Sequence, residues 1–187
     1  MAKYLVKFYT GEYRNRQQAA NNDKAVFYVE HHFNSGSLIA NYSTVIVARN
    51  ASKLSKAIGE RYTQLISKQF LTQNKGVKVG GYAGKGDKNL YYTNMPAILL
   101  EPLFCSNIEH AKIIKSEEGR QKLAEILVQV IKEFFPEGGL IAFSVGHKYK
   151  VKQPRDKGAR VNGGGWEADY AEDVLIRAKN LLEEGNF

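Results

Sequence analysis

Three apolar runs in this sequence each end on residues able to bind a metal or move a proton. AVFYV (25–29) runs into Glu30-His31-His32, PAILLEPLF (96–104) carries one acid, Glu101, and LIAFSV (140–145) ends at Gly146-His147. A fourth candidate, Glu167, opens a helix over about 166–182 and shares a face with Ala171, Val174, Ala178 and Leu182. Its carboxylate therefore faces inward, where a charge is costly unless it is paired or bound to a metal. Two histidines and one carboxylate with an open position are a common catalytic zinc set, whose bound water acidifies toward roughly pH 7. A further carboxylate, Glu101, is then placed to act as base. Neighbours on a strand point to opposite faces, so only one of His31 and His32 can be a ligand.

Each residue also has a plainer reading. Glu167 suits the first turn of a helix, where it complements the dipole. Glu101 could pair with a lysine of the glycine-rich segment, and a histidine at a strand end is usually a hydrogen-bonded structural residue. His110 reads as an ordinary exposed residue of a surface helix, and Cys105 as a small core residue. Four candidates at equivalent positions weigh toward the metal.

The elements that must position them alternate. Residues 3–9 (KYLVKFY) read as a strand, 12–22 as a short helix and 25–29 as a central strand covered on both faces. No element is assigned between Asn34 and Ala51. Residues 51–71 form an amphipathic helix with Leu54, Ile58, Tyr62, Leu65, Ile66 and Phe70 in register, and residues 75–88, with five glycines and four lysines, form an exposed mobile loop. Ser106-Asn107 opens a helical region, 121–135 is a second amphipathic helix stopped by Pro136 and Gly138-Gly139, and a basic, glycine-rich loop over 148–165 leads to the last helix. This order predicts one α/β domain over 1–187, with a mixed, mostly parallel sheet between helical layers.

Composition narrows the partners. Of 187 residues, 43% are hydrophobic and 25% charged, which excludes wholesale disorder. A single cysteine excludes an internal disulfide, and no run approaches the roughly 20 apolar residues of a membrane span. The opening MAKYLVKFYTGEY lacks the pattern of a secretion signal, so a cytoplasmic location is expected. With 27 Lys+Arg against 19 Asp+Glu the net charge is +8, which points to an anionic partner. Much of it lies in residues 75–88 and in 148–160, where six basic residues face one acid. Basic loops beside a metal site suit an anionic polymer better than a DNA groove, and no nucleic-acid recognition motif stands out.

The motifs together resemble the zinc-dependent N-acetylmuramoyl-L-alanine amidases of autolysins and phage endolysins, in changed order. That family opens with a strand ending in Gly-His, an Asp-x-Gly-Ala turn and a helix with a ligand Glu. Here these stand last, as Gly146-His147, Asp156-Lys157-Gly158-Ala159 and Trp166-Glu167-Ala168. The family's Arg-x-x-x-Ala-Asn segment and its His-x-Asn strand end stand first, as Arg16 to Ala20-Asn21 and His32-Phe33-Asn34. Its Met-Pro, apolar strand and catalytic Glu are found at Met95-Pro96 to Glu101, closing on Ser106-Asn107. The chain thus resembles a circular permutant of a phosphorylase/hydrolase-like amidase fold, its original ends joined near 136–139.

The resemblance implies one Zn²⁺ per chain on His147, Glu167 and His32, with Glu101 as general base. It selects His32 over His31. The substrate implied is the amide between N-acetylmuramic acid and L-alanine in peptidoglycan. Lys85 and Lys148 of the basic loops are candidate substrate contacts, as are Asn34 and Asn107, whose plainer role is to fix loops around the site. No separate wall-binding domain is expected beside the amidase domain, and the chain is expected to be a monomer. The resemblance then implies a phage-type endolysin kept in the bacterial cytoplasm until release, or a prophage or cytoplasmic relative. A zinc carboxypeptidase-type peptidase, or an anionic-polymer or nucleic-acid binding module with a defunct metal site, are the alternatives. Glu30 and His31 stand where the family usually has a small and an apolar residue, Leu103 replaces a glycine, and the loop after His147 is long.

Overall fold

A computed structural model describes residues 3–184. Six strands form one sheet: β1 (Lys3–Phe8), β2 (Phe27–His31), β3 (Tyr42–Val47), β4 (Gln73–Val79), β7 (Ala97–Glu101) and β8 (Gly138–Val145), in the order β1-β8-β2-β7-β3-β4. The run from β1 to β7 is parallel, β3 is antiparallel to β7, and β4 is parallel to β3. The sheet is therefore mixed and mostly parallel, as the alternation of strands and helices predicts.

Both faces are covered. On one side α2 (Lys53–Phe70), α4 (Glu117–Phe134) and α5 (Glu167–Glu184) bury Ile58, Tyr62, Leu127, Ile131, Val174 and Ala178 against Phe27, Val29, Ile98, Leu100, Ile141 and Phe143. The other side is thinner: Tyr28, Ile46, Leu99 and Ala142 pack with Ala20 of α1 (Tyr13–Asn22) and with Leu90. Near-continuous apolar runs in β2, β7 and β8 are what two-sided burial requires.

Capping side chains set the helix starts. Ser52 Oγ accepts from Ser55 N at 3.1 Å to open α2, and Ser116 Oγ accepts from Gly119 N at 3.0 Å to open α4, four residues ahead of the predicted start at 121. The same serine ends α3 (Ile108–Lys115), whose own start is capped by Asn107 Oδ1 accepting from Glu109 N (2.9 Å) and His110 N (3.1 Å).

Three expectations are corrected. β3 fills the stretch to which the sequence reading assigns no element; its YSTVIV is rich in β-branched residues and all but Tyr42 are buried. The predicted exposed loop over 75–88 is an edge strand, β4, followed by a two-stranded turn, β5 (Gly81–Tyr82) with β6 (Lys85–Gly86), and a 3₁₀ turn Asp87–Asn89. Asp87 and Asn89 are buried, because Asp87 accepts from Arg49 N (2.7 Å) and Arg49 Nε (2.8 Å), and Asn89 donates inward. Glycines at positive φ (Gly80, Gly81, Gly84, Gly86) serve to reverse the chain there. Finally, His110 is 3% exposed rather than on the surface: its Nδ1 accepts from Phe104 N at 3.0 Å and Nε2 meets Asn41 Oδ1 at 2.9 Å.

Helix α2 lies so close to the sheet that a Cβ at Gly59 would fall 2.6 Å from Val77 Cγ2 and 2.9 Å from Val45 Cγ1. Gly59→Ala gains about 1 kcal/mol in helix propensity but overpacks at a cost of roughly 1–3 kcal/mol. Denaturant unfolding should show a net loss of about 1 kcal/mol; a gain would mean that α2 tolerates a wider gap.

Candidate metal centre

The register of three adjacent parallel strands builds the site. His31 pairs with Val145 of β8 on one side and Leu100 of β7 on the other, so His32, Gly146-His147 and Glu101 leave the sheet at one level. The ladder continues one step further, with His32 N donating to Leu100 O (3.0 Å) and Gly146 N donating to His31 O (2.9 Å). Carboxyl ends of parallel strands are where open α/β sheets hold ligands. Helix α5 begins beside them, and its inward face of Glu167, Ala171, Val174, Ala178 and Leu182 is buried as its spacing predicts.

His32, His147 and Glu167 each offer a ligand atom, all within 4.8 Å of one another. Glu167 Oε1 lies 3.2 Å from His147 Nε2 and 3.4 Å from His32 Nδ1, while its other oxygen accepts from Ala159 N at 2.8 Å. The outward nitrogen of each histidine is also held. His147 Nδ1 lies 3.0 Å from both oxygens of Asp156, which in turn takes Lys150 Nζ (2.8 Å) and Gly158 N (3.0 Å). His32 Nε2 lies 2.8 Å from Glu30 Oε1. Each imidazole thus has a carboxylate behind it and one nitrogen facing the cluster, an arrangement that fixes tautomer and ring orientation in metal sites.

No room is left for larger backbone neighbours. A Cβ at Gly146 would overlap the His32 ring, and one at Gly158, whose φ is +71°, would overlap the Glu167 carboxyl and His147 ring. Burial alone would raise the Glu167 carboxyl, but hydrogen bonds from His147 and His32 outweigh it and hold it at about 2. Burial opposes a charge on His32, yet Glu167 and Glu30 push it up to about 9. The His32 ring thus lies between two buried carboxylates, which a proton or a bound cation would compensate.

Glu101 stands at the end of β7 with Asn34 Nδ2 donating to it at 2.8 Å. Burial, with the Glu167 charge adding and His32 opposing, pushes it up to about 7. Among the described residues no lysine pairs with it. A cavity of about 460 Å³ opens over Glu101, His32 and His147, between Tyr13, Ile46, Tyr82 and Leu99, with Lys85 and Lys88 on its wall.

Of the other sequence candidates, Asn34 reaches the cavity through Glu101 and Lys85 lines it. The structure does not bring the remaining two there. Asn107 is committed to its helix cap and to Ala40 O (3.1 Å), and Lys148 to Asp169 (2.8 Å) and Glu172 (2.6 Å). His31 points into the opposite layer, where burial keeps it neutral, its pKa pushed down to about 3. The sequence reading missed Glu30 as a partner of His32, and a charge inside FYVEH was the available signal, since a buried carboxylate demands compensation.

Fold and cluster define an α/β protein with the two-histidine, one-carboxylate donor set of mononuclear metallohydrolases. The family model for N-acetylmuramoyl-L-alanine amidases of the Amidase_3 type matches residues 6–133, and the chain belongs to that family. Among solved structures it is similar to the catalytic domain of CwlV, an N-acetylmuramoyl-L-alanine amidase from Bacillus (Paenibacillus) polymyxa var. colistinus. That likeness has 25% identity and TM-score 0.57, over 67% of this chain and 66% of the other. An N-acetylmuramoyl-L-alanine amidase from Clostridium difficile 630 is likewise 25% identical, with TM-score 0.59, over 68% of this chain and 67% of that one. The chain therefore spans about two thirds of each relative. No curated protein matches it. No helix of the described residues is long and apolar enough to cross a membrane.

The raised Glu101 carboxyl carries a stability cost with a defined sign. Its ordinary value is 4.5 and its folded value about 7, so the penalty is absent below pH 4.5, grows between the two values and is complete above pH 7. Glu101→Gln should raise the Tm of the chelator-treated protein at about pH 8, by about 3 °C or more, and leave it unchanged at about pH 4. Equal shifts at both pH values would refute a desolvated carboxylate.

Proposed function

We propose that this chain hydrolyses the amide joining N-acetylmuramic acid to L-alanine in peptidoglycan, using one zinc ion. The observation that carries this reading is the convergence of His32 Nδ1, His147 Nε2 and Glu167 Oε1, with Glu101 lining one cavity together with both histidines. That donor set fits zinc, which favours imidazole and carboxylate ligands at an open tetrahedral site. Bound there, the ion would supply Lewis acidity toward a carbonyl and a water.

The chain's own residues account for the rest. Glu101, poised near neutrality, takes a proton from the attacking water and delivers it to the departing amine of L-alanine. Asn34 orients Glu101 through its 2.8 Å hydrogen bond. Tyr13, Tyr82, Ile46 and Leu99 form walls for the sugar and peptide stem, and Lys85 and Lys88 supply positive charge toward an anionic substrate.

A circular permutation of the family's chain order belongs to the same proposal. The family match ends at residue 133, before β8, which leads into His147, and α5, which begins with Glu167. Yet β8 lies between β1 and β2, and Glu183 near the end of α5 accepts from Val6 N in β1 at 2.9 Å.

Peptidoglycan digested by the purified protein should yield stem peptides with a free L-alanine amino terminus. Release of free amino acids from peptides without muramic acid would instead mark a peptidase. Glu101→Ala should lower amidase turnover by about 10²–10⁴-fold with zinc content near one per chain, whereas His147→Ala should lose the zinc. Retained turnover in Glu101→Ala would overturn the role of that residue.

A further inference from the structure

Glu30 is fully buried, in the middle of the sheet, and stands two residues before His32 on the same strand face. Its two oxygens are shared among three elements. Oε2 accepts from Arg16 Nη2 of α1, an ion pair whose side chains are 1% and 0% exposed. Oε1 accepts from Asn89 Nδ2 at 2.6 Å and faces His32 Nε2 at 2.8 Å. A carboxylate paired with a guanidinium and already accepting an amide N–H can only accept, so His32 Nε2 must be the donor. The lone pair of neutral His32 is then on Nδ1, the nitrogen 3.4 Å from Glu167 Oε1. At His147 the polarity is reversed: Asp156 holds Nδ1 and leaves Nε2 toward the cluster.

We propose that Glu30 is a positioning residue of the metal centre, fixing His32 as an Nδ1 ligand while His147 ligates through Nε2. This rests on the metal-site reading above. Glu30 reaches the ion only through His32, and through Asn89 it also ties that ligand to the cavity wall that holds Lys85 and Lys88. Arg16 compensates the Glu30 charge from the other oxygen, so that a fully buried carboxylate can stand behind the imidazole.

The test reads the nitrogens directly. ¹⁵N-labelled histidine spectra of the full chain loaded with zinc, repeated with ¹¹³Cd for metal–nitrogen couplings, should show His32 bound through Nδ1 with a protonated Nε2, and His147 bound through Nε2. Glu30→Gln, whose amide can donate as well as accept, should weaken zinc binding by about 10–100-fold in a chelator competition, with its Nε2 signal shifted. Asp173→Asn, which breaks a distant ion pair with Arg120, should alter neither readout. Coupling to His32 Nε2 in the wild-type protein overturns the proposal, whether or not the Glu30 variant folds, and leaves the metal-site reading intact. A folded Glu30→Gln with zinc affinity within about threefold of wild type overturns it too. Failure of the wild-type chain to bind zinc overturns the metal reading itself, and this proposal with it.

Discussion

A carboxylate buried at the mouth of a sheet has to be compensated, and the local architecture follows from that constraint at Glu167. Its 3% exposure would be untenable without the two imidazoles at 3.2 and 3.4 Å and the Ala159 amide at 2.8 Å. The same demand recurs one layer out. Glu30 draws Arg16 and Asn89 inward, and Asp156 draws Lys150 and the Gly158 amide. The site is a set of nested charge compensations in which each carboxylate orients the group that neutralises it.

Those compensations also hold the segments that regular structure does not. The long basic stretch after His147 contains little hydrogen-bonded strand, yet it is anchored through Asp156 and by Glu167 N donating to Ala159 O at 3.0 Å. The stretch after β4 is anchored by Asp87 to Arg49, by Asn89 to Glu30, and by Gln17, which donates to Lys88 O (2.9 Å) and accepts from Tyr92 N (2.7 Å). Residues on α1 therefore set one wall of the cavity, which explains how a helix of low apolar content earns its place on the thin side of the sheet.

The parallel arrangement of β8, β2 and β7 turns sequence patterns into a site. Each strand is an apolar run whose polar terminus was visible by residue type, because a chain buried on both faces admits few charges along its length. The helices were legible for the same kind of reason: Ile58, Tyr62 and Ile66 in α2, and the Glu167 face of α5, repeat at the helical period. β3 was not legible as part of this alternation, since no helix separates it from β2 and it runs against β7. The 75–88 segment misled in the opposite sense, because glycine and lysine content describes solvent exposure but not the edge pairing with β3 that organises its first half.

The sequence by itself determined the inventory: which strands are central, which helix face is buried, and which four residues, His32, Glu101, His147 and Glu167, stand at element ends. These follow from local periodicity and the cost of burying charge, properties that a linear pattern records. Only the tertiary structure decided which nitrogen of each histidine faces the cluster, that Glu30 and Asp156 stand behind them, and that His110 is buried while Lys148 and Asn107 are engaged elsewhere. Those outcomes depend on strand register and on contacts between residues far apart in the chain, such as Glu167 with His32, and no local pattern encodes the direction of a hydrogen bond across such a distance.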